Sequence, residues 1–317
     1  MPGVHLITGA TGFAGSHLLD LLAARGRRIH AWSHRGSAAP RPHSAASADG
    51  DITWSAIDIL DRAAVRQALG DANPAVVYHC AGAAHVKDAW QAPAHALRIN
   101  ALGTHNVLES VRELGLRCRV LVTGSALVYT PQAAAIAESS PIGASDPYGV
   151  SKLAQEMIAS NADPPALIVR PFNHAGPRQS PAFATSAFAK QIAEIEAGRR
   201  PPVLQVGNLE AKRDLTDVRD TVRAYEAIAE RGEPGRPYNV CSGRAHSMRG
   251  LLDLLLSLST ISVRVEQDAS LFRPLDNPIV LGSHARVTED TGWTPQIPIE
   301  RTMADLLGYW RGRTATA

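Results

Sequence analysis

Tyr148 and Lys152, four residues apart, hold the part of this chain that could move a proton. They stand in Asp146-Pro147-Tyr148-Gly149-Val150-Ser151-Lys152, which opens a helical pattern continued by Leu153, Ala154, Met157 and Ile158. On a helix, positions i and i+4 share one face. A phenol ordinarily ionises near pH ~10 and transfers protons poorly at neutrality. A neighbouring ammonium favours the phenolate and brings that value toward the working range. Upstream, Ser125 follows the apolar strand Arg119 to Thr123, in Gly124-Ser125-Ala126-Leu127-Val128-Tyr129. Its hydroxyl can hydrogen-bond the same substrate oxygen and orient it.

Tyr-x-x-x-Lys is common by chance, so its weight comes from a second motif. Leu6-Ile7-Thr8-Gly9-Ala10-Thr11-Gly12-Phe13-Ala14-Gly15 carries three glycines at G-x-x-G-x-x-G spacing. It joins an apolar strand around Val4 to Ile7 to a helical stripe of Leu18, Leu19, Leu21 and Leu22. A backbone that must bend sharply and approach a pyrophosphate has no room for Cβ atoms. The helix that follows aims free N–H groups and the positive end of its dipole at the anion. Gly9, Thr11, Gly12, Phe13, Ala14 and Gly15 are therefore candidate cofactor contacts. Small residues also follow the apolar segment Ala75 to Tyr78, in His79-Cys80-Ala81-Gly82-Ala83-Ala84. Ala81, Gly82 and Ala83 would let a cofactor lie against the backbone.

These elements need a scaffold. Apolar segments near 4–7, 28–32, 53–57, 75–80, 118–123 and 166–170 alternate with helical patterns. That alternation predicts an α/β fold with a parallel sheet and helices on both faces. Asp61 reads as the N-cap of a helix over Ala63 to Leu69. Gly36 to Gly50, rich in Ala, Ser, Pro and Gly, reads as a loop. Phe188, Ile192 and Ile195 predict one later helix, and Met303, Leu306, Leu307 and Trp310 a core-facing stripe on the last.

Composition narrows the function classes. In 317 residues, 45 % are apolar and 20 % charged, with a net charge of +2, which gives no reason to expect nucleic acid. No apolar run approaches the roughly eighteen residues of a membrane span. Met1-Pro2-Gly3-Val4-His5 enters the first strand directly, which leaves no room for a signal peptide. Cys80, Cys118 and Cys241 are odd in number and read as reduced packing residues of a cytoplasmic protein. The histidines lack metal-ligand spacing, and no metal is expected.

Together the glycine turn, Ser125, Tyr148 and Lys152 resemble the extended short-chain dehydrogenase/reductases, over essentially the whole chain. The resemblance implies a Rossmann-type doubly wound sheet over residues 1–170, with returning segments near 214–242, and a smaller C-terminal α/β substrate lobe in 171–317. It implies hydride transfer between a nicotinamide and a sugar carbon, with Tyr148 as acid or base. Lys152 would bind the nicotinamide ribose and tune Tyr148, and Ser125, with Ala126 beside it, would hold the carbonyl. Asp58 and Ile59 would meet the adenine, and Asn100 matches the family's mid-helix asparagine. Cys80 replaces the first Ala of the family's Ala-Ala-Gly. The second strand ends Ala31-Trp32-Ser33-His34-Arg35 without the acid that binds the adenosine ribose hydroxyls in NAD sites. Ser33 stands where that acid would be, and Arg35 could pair with a 2′-phosphate. NADPH is therefore expected, with NADH as the alternative.

Departures from the pattern separate subfamilies. Sugar-nucleotide 4,6-dehydratases place a carboxylate two residues after the Ser/Thr, and epimerase-reductases of the GDP-fucose synthase type place a Cys there. Leu127 supplies neither function. A 4-ketoreductase and a 4-epimerase with tightly bound NAD remain, beside a non-catalytic dinucleotide-binding sensor. In the second half, Asn173 and Arg178 lie in Arg170-Pro171-Phe172-Asn173-His174-Ala175-Gly176-Pro177-Arg178-Gln179, and Asn173 offers amide donors. Arg213 and Arg273 match the family's diphosphate-binding arginines, where ion pairing of Arg213 with Asp214 and Asp217 is the competing role. The run from Arg170 to Asp220, with Tyr238 to Gly243, most resembles the GDP-4-keto-6-deoxy-D-mannose reductases. This implies a GDP-sugar substrate reduced to GDP-D-rhamnose, or to the 6-deoxy-talose epimer. Relatives commonly pair through the helices that follow Asn100 and Tyr148, so a homodimer is expected, with packing inside the chain's own core as the competing role of Val150, Leu153 and Met157.

Overall fold

The computed structural model describes residues 3–34, 51–272 and 277–315. Within them the strands, in chain order, are β1 (Val4–Thr8), β2 (Arg28–Ser33), β3 (Ile52–Ala56), β4 (Val76–His79), β5 (Arg119–Thr123), β6 (Leu167–Pro171), β7 (Asn173–Ala175), β8 (Val203–Val206), β9 (Lys212–Asp217), β10 (Pro237–Val240), β11 (Ala245–Ser247), β12 (Arg264–Gln267) and β13 (Ile279–Val280). The helices are α1 (Phe13–Ala24), α2 (Arg62–Ala72), α3 (Val86–Gln91), α4 (Pro93–Leu97), α5 (Gly103–Glu113), α6 (Pro147–Ser160), α7 (Ala184–Glu196), α8 (Val218–Arg231), α9 (Met248–Ser257), α10 (Ala285–Thr291) and α11 (Ile299–Ala315). Arg35, the Gly36 to Gly50 segment and Arg273 lie outside the described residues.

Seven strands form one parallel sheet in the order β10-β6-β5-β4-β1-β2-β3. The six apolar segments expected from sequence are β1 to β6, and β10 returns from the second half to add the outer strand beside β6. Parallel strands are joined by crossovers that cover both faces, so adjacent residues serve opposite cores. Ile7, Tyr78, Leu121 and Val169 pack with Leu18, Leu19 and Leu22 of α1 and Val222 and Ile228 of α8. Leu6, Val77, Val120 and Ile168 pack with Val65 and Leu69 of α2 and Val107 and Leu108 of α5. Asp61 caps α2, its Oδ1 accepting the Ala64 N–H at 3.1 Å. Strand order reverses between β1 and β4, which opens a crevice beyond their C-terminal ends.

The second lobe has its own core. Phe188 and Ile192 of α7, Leu204 of β8, Leu251 and Leu255 of α9, and Met303, Leu306 and Leu307 of α11 are buried together. Its sheet runs β11-β9-β13 with β7 also on β9, while β12 pairs with β8. The continuous run of β9 into α8 carries the chain back to the first sheet, and three buried aspartates fasten it. Asp214 accepts from the Ser242 N–H and Oγ–H, both at 2.7 Å, from the Gly243 N–H at 3.0 Å and from the Gly282 N–H at 3.1 Å. Asp217 caps α8 at the Arg219 N–H, pairs with the Arg219 guanidinium and accepts from Thr302 Oγ1 at 2.8 Å. Asp220 pairs with Arg223 and accepts the Gln296 and Ile297 N–H groups at 2.7 and 2.8 Å.

Candidate active site

The glycine turn sits at the mouth of the crevice. Gly9 has φ of +66°, and a Cβ there would lie 2.8 Å from the backbone of Ala81, just beyond β4. A Cβ on Gly15 would lie 2.2 Å from the Gly9 carbonyl oxygen. These two glycines let β1 turn tightly against the end of β4. Gly12, the N-cap of α1, offers no side chain to its first turn, so those N–H groups are available to an anion. Thr11 to Ala14 keep solvent access there. This cradle fits the pyrophosphate of a dinucleotide. Ser33 ends β2 and is buried, with no acid beside it in the described chain. Asp58 Oδ1 accepts the Leu60 N–H at 2.9 Å, and Ile59 is buried beside it.

Asn100 lies in a single π-helical turn, Arg98–Leu102, and is fully buried. Its Oδ1 accepts the Ala83 N–H at 2.9 Å, and its Nδ2 donates to Ser151 Oγ at 2.8 Å and to the Ala83 carbonyl at 3.2 Å. Asn100 thereby fixes the Ala81 to Ala83 edge of the crevice against α6.

Helix α6 starts at Pro147 because Asp146 caps it, accepting the Gly149 N–H at 2.8 Å. Tyr148 and Lys152 then lie on one face, with Lys152 Nζ 5.9 Å from the Tyr148 ring centre. Ser125 is near enough to the Tyr148 phenol to favour its ionised form. Ser125 Oγ accepts the Leu127 N–H at 3.1 Å, which holds it at the end of β5. Lys152 is 5 % exposed, and burial lowers it to about 8, so it is an ammonium at neutral pH. Tyr148 differs from the expectation of a lowered phenol. Burial pushes it up to about 12, with Ser125 opposing the rise and the Asp146 carboxylate adding to it. Desolvation outweighs the Ser125 contribution, and Tyr148 stands as a protonated donor.

The residues expected at the sugar nucleotide are spread along the lobe junction. Asn173 is exposed on β7. His174, beside it, stacks on Phe13 of the glycine turn, ring centres 5.5 Å apart and planes within 5°. Arg178, at φ of +73°, donates to Asp20 Oδ2 at 2.8 Å and to His17 Nδ1 at 2.7 Å, so the structure places it on α1. Burial, with the Arg178 charge, holds His17 neutral at about 3. Arg213 donates to the Asn277 carbonyl at 2.7 Å, while the aspartates beside it bind backbone and Arg219.

Sequence reasoning missed two sets of residues behind the site. Arg170 forms a buried pair with Glu156 and donates to Tyr129 Oη at 2.6 Å, and Tyr129 donates to Asn239 at 2.7 Å. This joins α6, β6 and β10. Gln155 and His79 form the second set, behind Lys152. Gln155 could have been found as the polar residue one turn after Lys152 on the same face. His79 was visible only as a polar end to the apolar strand β4.

The sequence profile of the GDP-mannose 4,6 dehydratase family matches residues 6–306, and the chain belongs to that family. It is 35 % identical over 318 residues to the GDP-6-deoxy-D-mannose reductase of Pseudomonas aeruginosa, covering 97 % of each chain. The RMD structure from Pseudomonas aeruginosa complexed with NADPH superposes with a TM-score of 0.82 at 34 % identity, over 98 % of this chain and 99 % of that one. The UDP-glucose 4-epimerase of Thermotoga maritima shares the fold, with a TM-score of 0.85 at 21 % identity over 98 % of this chain and 99 % of that one.

Proposed function

We propose that this chain is an NADPH-dependent 4-ketoreductase acting on a GDP-4-keto-6-deoxy-hexose, giving GDP-D-rhamnose or its 6-deoxy-talose epimer. The observation that carries the reading is Tyr148 on one helix face with Lys152, whose Nζ lies 5.9 Å from its ring centre, together with Ser125 held at the end of β5 by the Leu127 N–H. When bound, NADPH supplies the hydride to the carbonyl carbon. Ser125 orients the carbonyl oxygen, and Tyr148 delivers the proton that turns the alkoxide into a hydroxyl. Lys152 holds the nicotinamide ribose and steadies the charge left on Tyr148. Leu127, two residues after Ser125, has no proton to move, which speaks against dehydration in a family named for it. Ser33, in place of an acid at the end of β2, supports NADPH over NADH. The reductase at 35 % identity and the NADPH complex at 34 % support the same substrate and cofactor. In this reading the first lobe binds the cofactor, and Asn173, Arg213 and Arg273 serve the sugar nucleotide.

A homodimer belongs to the proposal. Trp90, Leu97, Leu102, Val150 and Met157 are each between 43 and 60 % exposed. They lie on α3, α4, the π-helical turn and α6, and exposed large apolar side chains gathered in this way suit a partner. Leu153, on the same helix, packs inward instead. Met157→Glu is expected to yield a folded monomer by analytical ultracentrifugation, whereas an unchanged species would reject this face. A cytoplasmic location suits three free cysteines, and no helix among the described residues is long and apolar enough to cross a membrane.

The direct test is NADPH oxidation with freshly made GDP-4-keto-6-deoxy-D-mannose, NADH in parallel, and sugar analysis of the product. Turnover favouring NADPH supports the reductase, and rhamnose or talose reports the face of attack. No oxidation, with NAD released from the denatured protein, would favour the epimerase.

A further inference from the structure

The lysine that faces the crevice is held from behind by a chain of neutral groups. Lys152 Nζ has three N–H donors. One goes to the Thr123 carbonyl at 2.9 Å and one to Gln155 Oε1 at 2.9 Å, which leaves one for a ligand. Gln155 is fully buried, and its Nε2 donates to Thr104 Oγ1 at 2.8 Å. Thr104 spends its only proton on the Asn100 carbonyl at 2.7 Å. Its oxygen can therefore only accept from His79 Nε2, 2.9 Å away, which places a proton on that nitrogen. His79 Nδ1 then accepts from Thr8 Oγ1 at 2.8 Å, while Thr8 Oγ1 accepts the Ala81 N–H at 3.1 Å. Donors therefore converge on Thr104 from both ends, from the glycine turn through His79 and from the lysine through Gln155, and every direction is fixed.

We propose that Gln155 is a positioning residue for Lys152, and that a neutral His79 with its proton on Nε2 orients Gln155 through Thr104. The inference rests on the proposed role of Lys152 at the nicotinamide ribose. An uncharged acceptor aims the ammonium without neutralising it. Two fixed acceptors behind Nζ turn a mobile three-donor group into a directed one. His79 is fully buried and kept neutral by that burial, with the Lys152 charge acting in the same direction.

The groups that face Lys152 are uncharged at neutral pH. Tyr148 comes from its own helix, His79 and Cys80 from the end of β4, and the Thr123 carbonyl from β5. Tyr225 of α8 is near enough to Cys80 and Tyr148 to feel both electrostatically. Burial pushes the Cys80 thiol up to about 12 and Tyr225 well above its ordinary value. Glu156, next along α6, is taken up by Arg170.

The test has two readouts that do not depend on turnover. In the folded wild-type protein, nitrogen NMR of labelled histidines, with His79 assigned by its loss in His79→Gln, is expected to show a protonated Nε2 and a bare Nδ1 from pH 5 to 8. A proton on Nδ1, or titration within that range, would overturn the proposal. In NADPH fluorescence titrations, Gln155→Leu is expected to weaken binding by about tenfold or more and to move the alkaline limit of binding down by about one pH unit, because the ammonium loses an acceptor. Gln155→Glu is expected to move that limit up, since a carboxylate favours the ammonium. A merely structural role would lower the melting temperature and leave both limits where they are in the wild type, which would reject the idea. A protein that behaves as expected in these measurements but reduces no GDP-4-keto sugar would sink the substrate reading and leave the positioning role standing.

Discussion

Two buried polar regions of this molecule solve the same problem in opposite ways. Behind Lys152, the groups taken out of water are amides, hydroxyls and one neutral imidazole, and the only full charge is the ammonium they hold. At the lobe junction the buried groups are carboxylates, and each is saturated by donors from a different segment. A charge surrounded by neutral dipoles stays titratable and available to a ligand. A charge ringed by four fixed donors is spent as a strut. The difference shows which region reacts and which only holds the lobes in register.

The widest break between the two regions should come from Tyr148→Phe. Removing the proton donor is expected to slow reduction by about 10²- to 10⁴-fold, the range ordinarily carried by general acid catalysis. Melting temperature and NADPH affinity should barely move, since Ser125 Oγ is held in place by the Leu127 N–H. Loss of folding in this variant would mean that the catalytic face is also structural.

Asp214→Ala should do the converse. It leaves the Ser242, Gly243 and Gly282 N–H groups without their acceptor. Unfolding stability is expected to fall by about 3–5 kcal/mol, measured by urea denaturation. NADPH affinity per folded molecule should survive, because the buried Asp214 carboxylate is bonded to Ser242, Gly243 and Gly282 and to no residue of the glycine turn or α6. Ser242→Ala removes one donating hydroxyl and should cost only about 1 kcal/mol.

The charge that remains titratable can be read from stability itself. Burial lowers Lys152 to about 8 from an ordinary 10.5, so between those values the unfolded chain holds a proton that the folded one has released. Stability due to this group therefore rises with pH across that window, by up to about 1.4 kcal/mol per unit. Relative to Lys152→Met, which has no such proton, the ligand-free wild type should gain stability from pH 8 to 10. A constant difference between the two proteins would mean that Lys152 is not desolvated.

The sequence showed these two regions unequally. The six strands of the first sheet, the Asp61 cap and the Gly9 to Gly15 turn were legible because each is a local pattern with a local cause. Tyr148, Lys152 and Ser125 were legible as types and spacing, but the state of Tyr148 was not. Burial is a property of the whole fold, and it reversed the direction expected from the ammonium alone. The struts were hidden for a related reason. Asp214 and Asp217 looked like surface partners for Arg213 because they are its sequence neighbours, yet their donors come from 28, 68 and 85 residues away. Arg178 was read toward the sugar nucleotide from its place in a loop, and only the fold brings it to His17 and Asp20, across 161 and 158 residues.

Arg178 stands between the two regimes and offers the smallest test. Its guanidinium ties the loop after β7 to α1 from a partly exposed position, 16 % for the arginine and 23 % for Asp20. A pair in that setting is worth about 0.5–1 kcal/mol. The backbone has a separate cost, because φ of +73° disfavours any residue with a Cβ by roughly 1 kcal/mol. Arg178→Ala loses the tie and keeps the strain, so it should destabilise by the value of the pair. Arg178→Gly loses the same tie and relieves the strain, so it should be more stable than the alanine variant by about 1 kcal/mol and close to the wild type. If both variants instead fall by several kcal/mol in urea denaturation, the guanidinium is a strut like Asp214. The Phe13–His174 stack beside it would then depend on that charge rather than on the backbone turn that carries it.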